Sequence, residues 1–254
     1  MFKAGLVSVS FRPLSPQEIL ARMQESNLSY VEWGSDVHAP CDDAENLSRI
    51  AAMQAASGVS CCSYGTYYRL GVNAPEEIIP YLRAAHVLGT NILRVWCGDK
   101  PYSQYTPEEA QALFEDSRAV ARIAREHDAV ICLECHNNTF TEELEGALAI
   151  MKAVDSPHLR MYWQPNQFKP HALNVAYAKA IAPYTTHLHV FHWEGRDKFP
   201  LAQGLDKWRD FLPAFEGDHM LLLEFMPDSR PESLPEEARA LRALIATPSR
   251  RGMP

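Results

Sequence analysis

Four side chains able to ligate a cation or move a proton stand at the ends of apolar runs in the second half of the chain: Glu134 after 129–133, Gln164 after Leu159–Trp163, His189 inside 187–191 and Glu224 after 220–223. If these runs are strands, successive side chains alternate between faces. Cys132, Glu134 and His136 then share one face, as do His187, His189 and Phe191. Two carboxylates, a carboxamide oxygen and an imidazole suit one divalent ion such as Mn²⁺, Mg²⁺, Co²⁺ or Zn²⁺, and no thiolate is placed to make a soft, closed site. Two carboxylates also balance a dication, which leaves positions for the oxygens of a substrate. Taken singly, a buried Glu or His is more often a satisfied core or capping group. Their joint appearance at four consecutive strand ends is what points to a site, with Gln164 its weakest member.

Other polar and aromatic residues follow strand ends in the same way. His38, Tyr67, Trp96, His136 and Trp193 are expected to line a substrate pocket above the cation, offering stacking faces and hydrogen bonds to hydroxyls. Arg69 is read as a surface ion pair before it is read as a phosphate contact. Cys132 and Cys135 match C-x-x-C, but three residues apart on a strand they face opposite sides, so neither redox nor zinc chemistry is read there.

The elements that must carry these residues form a regular series. Strand-like runs occur at 4–9, 29–33, 59–63, 92–97, 129–135, 159–163, 187–191 and 220–225. Between them lie helix-start signals such as Ser15-Pro16-Gln17-Glu18 and Thr106-Pro107-Glu108-Glu109, with proline at the first helical position. Later helices are expected over 172–182, 205–215 and 234–246. Strands separated by helices need crossovers and form a parallel sheet buried on both faces, which is why the runs are continuously apolar. Eight such units in 254 residues fit one α/β domain, a single (β/α)₈ TIM barrel over 1–248 with a short tail at 249–254. The open doubly wound alternative lacks its glycine-rich first turn, since Ser8-Val9-Ser10-Phe11-Arg12-Pro13 contains no glycine. With 24 Lys and Arg against 32 Asp and Glu, the net charge of −8 provides no footprint for nucleic acid. No signal peptide or membrane span is read, so a cytoplasmic protein is expected.

Together the segments Glu32-Trp33-Gly34-x-Asp36-x-His38, Ser63-Tyr64-Gly65-Thr66-Tyr67-Tyr68-Arg69, Arg94-Val95-Trp96-Cys97-Gly98, Leu133-Glu134-x-His136, Trp163-Gln164-Pro165-Asn166, His187-x-His189 and Leu223-Glu224-Phe225 carry a resemblance. The chain resembles the xylose isomerase-like TIM-barrel superfamily, in its sugar phosphate isomerase/epimerase branch. The resemblance implies one divalent ion, Mn²⁺ first, held by Glu134, Gln164, His189 and Glu224, with Glu134 and Glu224 also moving the proton. It departs from the family at Gln164-Pro165-Asn166-Gln167, where epimerases carry Asp-x-x-His, and Arg196 is out of register with a substrate-contacting arginine. The implied function is a sugar, sugar phosphate or inositol-type isomerase or epimerase that abstracts a proton beside a carbonyl through a metal-stabilised enediolate. With a leaving β-hydroxyl the same apparatus gives a dehydratase. The alternatives are an AP endonuclease-like hydrolase and a sugar-binding barrel without catalysis. The expected partner is a small polyhydroxylated substrate, with neither nucleic acid nor membrane; a homodimer is left open.

Overall fold

The computed structural model describes residues 1–246. Eight parallel strands close into a barrel: β1 (Phe2–Val7), β2 (Tyr30–Gly34), β3 (Ser60–Leu70), β4 (Ile92–Cys97), β5 (Val130–Glu134), β6 (Leu159–Trp163), β7 (Thr185–Val190) and β10 (His219–Leu223), paired around the ring as β1-β10-β7-β6-β5-β4-β3-β2. A two-stranded antiparallel ribbon, β8 (Trp193–Glu194) and β9 (Asp197–Lys198), rises after β7. Outside lie α1 (Pro16–Glu25), α2 (Ala44–Ala56), α3 (Ile79–Leu88), α4 (Pro107–Glu126), α5 (Leu144–Val154), α6 (His171–Ile181), α7 (Leu205–Phe211) and α8 (Leu234–Ala246). This is the (β/α)₈ barrel that the alternation of runs predicts. Among the described residues no helix is long and apolar enough to cross a membrane.

Local chemistry sets the helix starts. Ser15 with Glu18, and Thr106 with Glu109, form reciprocal capping boxes, each with proline in the first turn. The core has two parts. Trp33, Trp163, Trp208, Tyr64 and Tyr68 pack between sheet and helices, whereas Val7, Val9, Cys62, Cys132, Tyr162 and Leu222 fill the barrel interior. Inward residues on alternate positions of each strand are what stack into such layers.

Several elements differ from their sequence expectation, among them β1, which spans Phe2–Val7 instead of 4–9. The third strand continues to Leu70 instead of ending at Ser63, because a register shift between Gly65 and Arg69 lets the chain stay paired with β4 up to Leu70 and Cys97. That extension carries Tyr67 and Arg69 on a strand, not a loop. β7 begins at Thr185, and α7 stops at Phe211 and gives way to a short 3₁₀ turn at Leu212–Ala214, with Pro213 in its first turn. The expected boundary at 248 and the tail 249–254 lie outside the described residues.

Candidate metal and proton-transfer site

At the C-terminal mouth of the barrel, one imidazole nitrogen lies among three side-chain oxygens. His189 Nδ1 is 3.2 Å from Gln164 Oε1, 3.4 Å from Glu134 Oε1 and 3.5 Å from Glu224 Oε2. One ligand atom from each of Glu134, His189 and Glu224 falls within 4.8 Å of the others, and all three residues are buried. Glu134 closes β5, Gln164 follows β6, His189 sits in β7 and Glu224 follows β10. The β10–β7 register pairs Leu222 with His189, so Glu224 stands one inward step higher. Directly after it, Phe225 adopts a left-handed backbone (φ 55°), a costly state for an aromatic residue, and its N–H donates to Ser10 Oγ at 2.9 Å. The chain therefore turns away as soon as Glu224 has been delivered. Oxygen and imidazole donors this close together fit a divalent cation.

Sequence reading missed the residues beneath this cluster. Arg94 and Glu32, both buried, occupy inward positions on β4 and β2; Arg94 Nε lies 3.3 Å from Glu32 Oε1 and Arg94 Nη1 lies 3.1 Å from Glu134 Oε2. Ser63 Oγ donates to Glu32 Oε2 at 2.6 Å and lies 3.2 Å from the Tyr162 hydroxyl. A signal was present, since a charged residue inside a continuously apolar strand is expensive to bury without a partner. Gly65 leaves the space they need: a Cβ there would lie 2.6 Å from both Arg94 Nη2 and Glu32 Oε1.

These contacts separate the acidities. Burial alone would raise the Glu32 carboxyl, but His189, Arg94 and Ser63 outweigh it and hold Glu32 down to about 2. Glu134 is likewise held well below the usual carboxylate range, because Arg94 and His189 overcome its burial. Glu224 is raised by burial, which the attraction of His189 does not cancel, with Glu134 adding to the rise. His189 is raised to about 10: burial pulls it down, and Glu224, Glu32 and Glu134 overcome that pull.

The aromatic residues form a wall beside Glu134. Trp96 Nε1 donates to Glu134 Oε2 at 2.6 Å, and its ring stacks on His136 at 4.8 Å. Tyr67 meets Trp96 edge-on at 5.4 Å, is 43% exposed and accepts from Arg12 Nη2 at 2.7 Å. Trp193 packs on Phe191 and Phe225, and its buried Nε1 finds no partner among the described residues. His38 is placed differently from its expected role at a pocket. It is 2% exposed, with Nδ1 3.1 Å from Ser8 Oγ and Nε2 3.2 Å from Leu14 O, so both ring nitrogens are used inside the fold. Arg69 donates to Gly98 O and lies over the Trp96 ring at 4.7 Å instead of forming the expected surface ion pair. Arg196 is exposed in the turn of the β8–β9 ribbon. A cavity of about 540 Å³ opens at the opposite, N-terminal end, where Tyr30, Ser60 and Ile92 begin their strands and Met220 is the second residue of β10. A smaller one of about 180 Å³ lies over the loops after β6 and β7 and includes Asn166 and Trp193.

The family model described as a xylose isomerase-like TIM barrel matches residues 20–244. The chain belongs to that family. Over 72 residues it is 29% identical to a 3-dehydroshikimate dehydratase of Bacillus anthracis; the match spans 28% of this chain and 26% of that protein, about a quarter of the relative's length. Among solved structures it is similar to the probable 3-DHS dehydratase of Bacillus anthracis involved in petrobactin synthesis, with a TM-score of 0.76, 18% identity, and 95% and 99% of the two chains covered. It is also similar to an L-ribulose 3-epimerase, with a TM-score of 0.73, 13% identity, and 96% and 94% covered. At these identities the structural likeness concerns the fold.

Proposed function

We propose that the protein is a divalent-metal-dependent enzyme that removes a proton beside a carbonyl of a small polyhydroxylated substrate and returns it, as an isomerase or epimerase. The observation that carries this reading is the meeting of Glu134, Gln164, Glu224 and His189 Nδ1 around one point. Glu134, Gln164, His189 and Glu224 would hold a dication there, which would supply Lewis-acid polarisation of the carbonyl. The two glutamates come from β5 and from the end of β10, so they reach the reacting carbon from different walls, one taking the proton and the other returning it. Arg94 and the Trp96 N–H hold Glu134 Oε2 in place. His136, stacked on Trp96, offers an imidazole to substrate hydroxyls, and Trp193 and Tyr67 bound the same mouth.

A second outcome of the same proton removal, loss of a β-hydroxyl, is favoured by the likeness to 3-dehydroshikimate dehydratases in both sequence and fold. One experiment separates the two. Protein reconstituted with Mn²⁺ is incubated in D₂O with ketoses, their phosphates, inososes and 3-dehydroshikimate. Carbon-bound proton exchange is followed by NMR, and new conjugated double bonds by absorbance. Metal-dependent exchange with an epimeric or isomeric product supports the first outcome, and loss of water the second. A protein that takes up no divalent ion and exchanges no proton on any of these substrates overturns both.

A further inference from the structure

His189 reaches two environments through its two nitrogens. Nδ1 faces the oxygens of Gln164, Glu134 and Glu224. Nε2 is fully buried, has no hydrogen-bond partner of good geometry among the described residues, and lies 3.4 Å from Glu32 Oε1. A neutral imidazole carries one N–H, so giving a lone pair from Nδ1 to a cation puts the proton on Nε2. An N–H left without an acceptor in the interior loses its hydration and gains nothing in return.

The geometry points to Glu32 as the positioning residue of the site: its carboxylate accepts a hydrogen bond from the His189 Nε2–H and thereby fixes the tautomer and ring orientation that present Nδ1 to the metal. The inference deepens the proposed function and rests on its cation site. The surroundings are built around that carboxylate. Ser63 Oγ donates to Oε2, Arg94 Nε approaches Oε1, and Gly65 leaves room for both side chains to meet. The contact also crosses the barrel, from β2 to β7, with β1 and β10 between them in the ring. A buried charge pair is commonly no more stabilising than apolar residues of the same volume, so stability by itself gives little reason for a carboxylate at this depth. Partners behind a ligating histidine do give one, since removing them typically weakens metal binding about 10- to 100-fold.

The test uses Zn²⁺ alone, a diamagnetic probe, on the full chain. In Zn²⁺-loaded wild type, ¹⁵N NMR of the histidines is expected to show His189 protonated at Nε2 and ligating through Nδ1. Glu32→Gln, which keeps the shape and removes the acceptor charge, is expected to weaken Zn²⁺ binding in calorimetry by roughly 10- to 100-fold with the fold intact by circular dichroism. Glu32→Asp keeps a charge for Arg94 but withdraws the oxygen from His189, and is expected to weaken binding similarly with a smaller loss of thermal stability. Wild-type His189 ligating through Nε2 would overturn the inference even if neither variant folds. So would wild-type Zn²⁺ affinity in both variants, which leaves the proposed function standing. Wild type that binds no Zn²⁺ removes the cation site itself, and with it both readings.

Discussion

Trp96 and Glu134 are joined by a 2.6 Å hydrogen bond from the indole Nε1 to Oε2, the same carboxylate oxygen that Arg94 Nη1 approaches at 3.1 Å. Glu134 Oε2 is thus gripped from two sides, leaving Oε1 toward His189. A hydrogen bond to a charged group contributes about 1.5–3 kcal/mol. Trp96→Phe keeps an aromatic ring against His136 and removes the donor. Turnover is expected to fall roughly 10- to 100-fold, the same energy expressed as a rate, with metal content unchanged. Steady-state kinetics and metal analysis of the variant check this, and an undiminished kcat would show that the indole N–H plays no part in holding Glu134.

Replacing either candidate proton-transfer carboxylate by its amide keeps a ligand oxygen and nearly the same shape. Glu134→Gln and Glu224→Gln are each expected to retain most of the metal while turnover drops by roughly 10² to 10⁴, the usual contribution of a positioned acid or base. Solvent exchange of the substrate's carbon-bound proton should fall in parallel. Normal exchange at full metal occupancy in both variants would reduce the two glutamates to ligands.

Gly65 offers a test that concerns packing alone. Its missing Cβ leaves space where an added methyl would lie 2.6 Å from both Arg94 Nη2 and Glu32 Oε1. Overpacking of this kind costs about 1–3 kcal/mol, and separating a buried ion pair adds to that. Gly65→Ala should therefore lower the denaturant midpoint measurably, whereas Gly58→Ala supplies an inverse control. At Gly58 an added Cβ meets nothing within 4 Å, so only the strain of its positive φ of 67° is felt. Equal midpoints for Gly65→Ala and wild type would mean that the pair moves apart without cost.

His38 makes stability depend on pH. Burial holds its imidazole below the ordinary value, against the raising influence of Asp36, while Arg12 pushes the same way as burial. Below about 6.5, the unperturbed imidazole pKa, the unfolded chain takes up a proton that folded His38 accepts only at lower pH. Stability associated with His38 is therefore complete above that value and declines as pH falls beneath it. Unfolding free energies measured from pH 7 down to pH 5 should drop more steeply for wild type than for His38→Gln. Parallel slopes would show that His38 titrates normally in the folded protein.

The barrel was legible in the residues because each parallel strand is buried on both faces and reads as an apolar run, while capping boxes such as Ser15 with Glu18 mark the helix starts. Strand β3 is the exception, since the register shift after Gly65 leaves no mark in a run of tyrosines and an arginine. Period two also singled out Glu134, His189 and Glu224 as inward residues at strand ends, and the fold brings them within 4.8 Å of one another.

Alternation along a strand tells which side a residue faces, but not what it meets across the barrel. Glu32 and Arg94 are 62 residues apart in sequence, and their contact exists only once the eight strands have closed with a particular stagger. For the same reason His38, whose position after a strand suggests a pocket, was decided by the tertiary structure. The turn after Gly34 folds it back onto Ser8 and Leu14, where two hydrogen-bonding partners and burial hold it inside. Residue type and spacing thus determined which polar side chains reach the barrel mouth, and barrel closure decided which charges stand behind them, because long-range register is a property of the closed sheet rather than of any one strand.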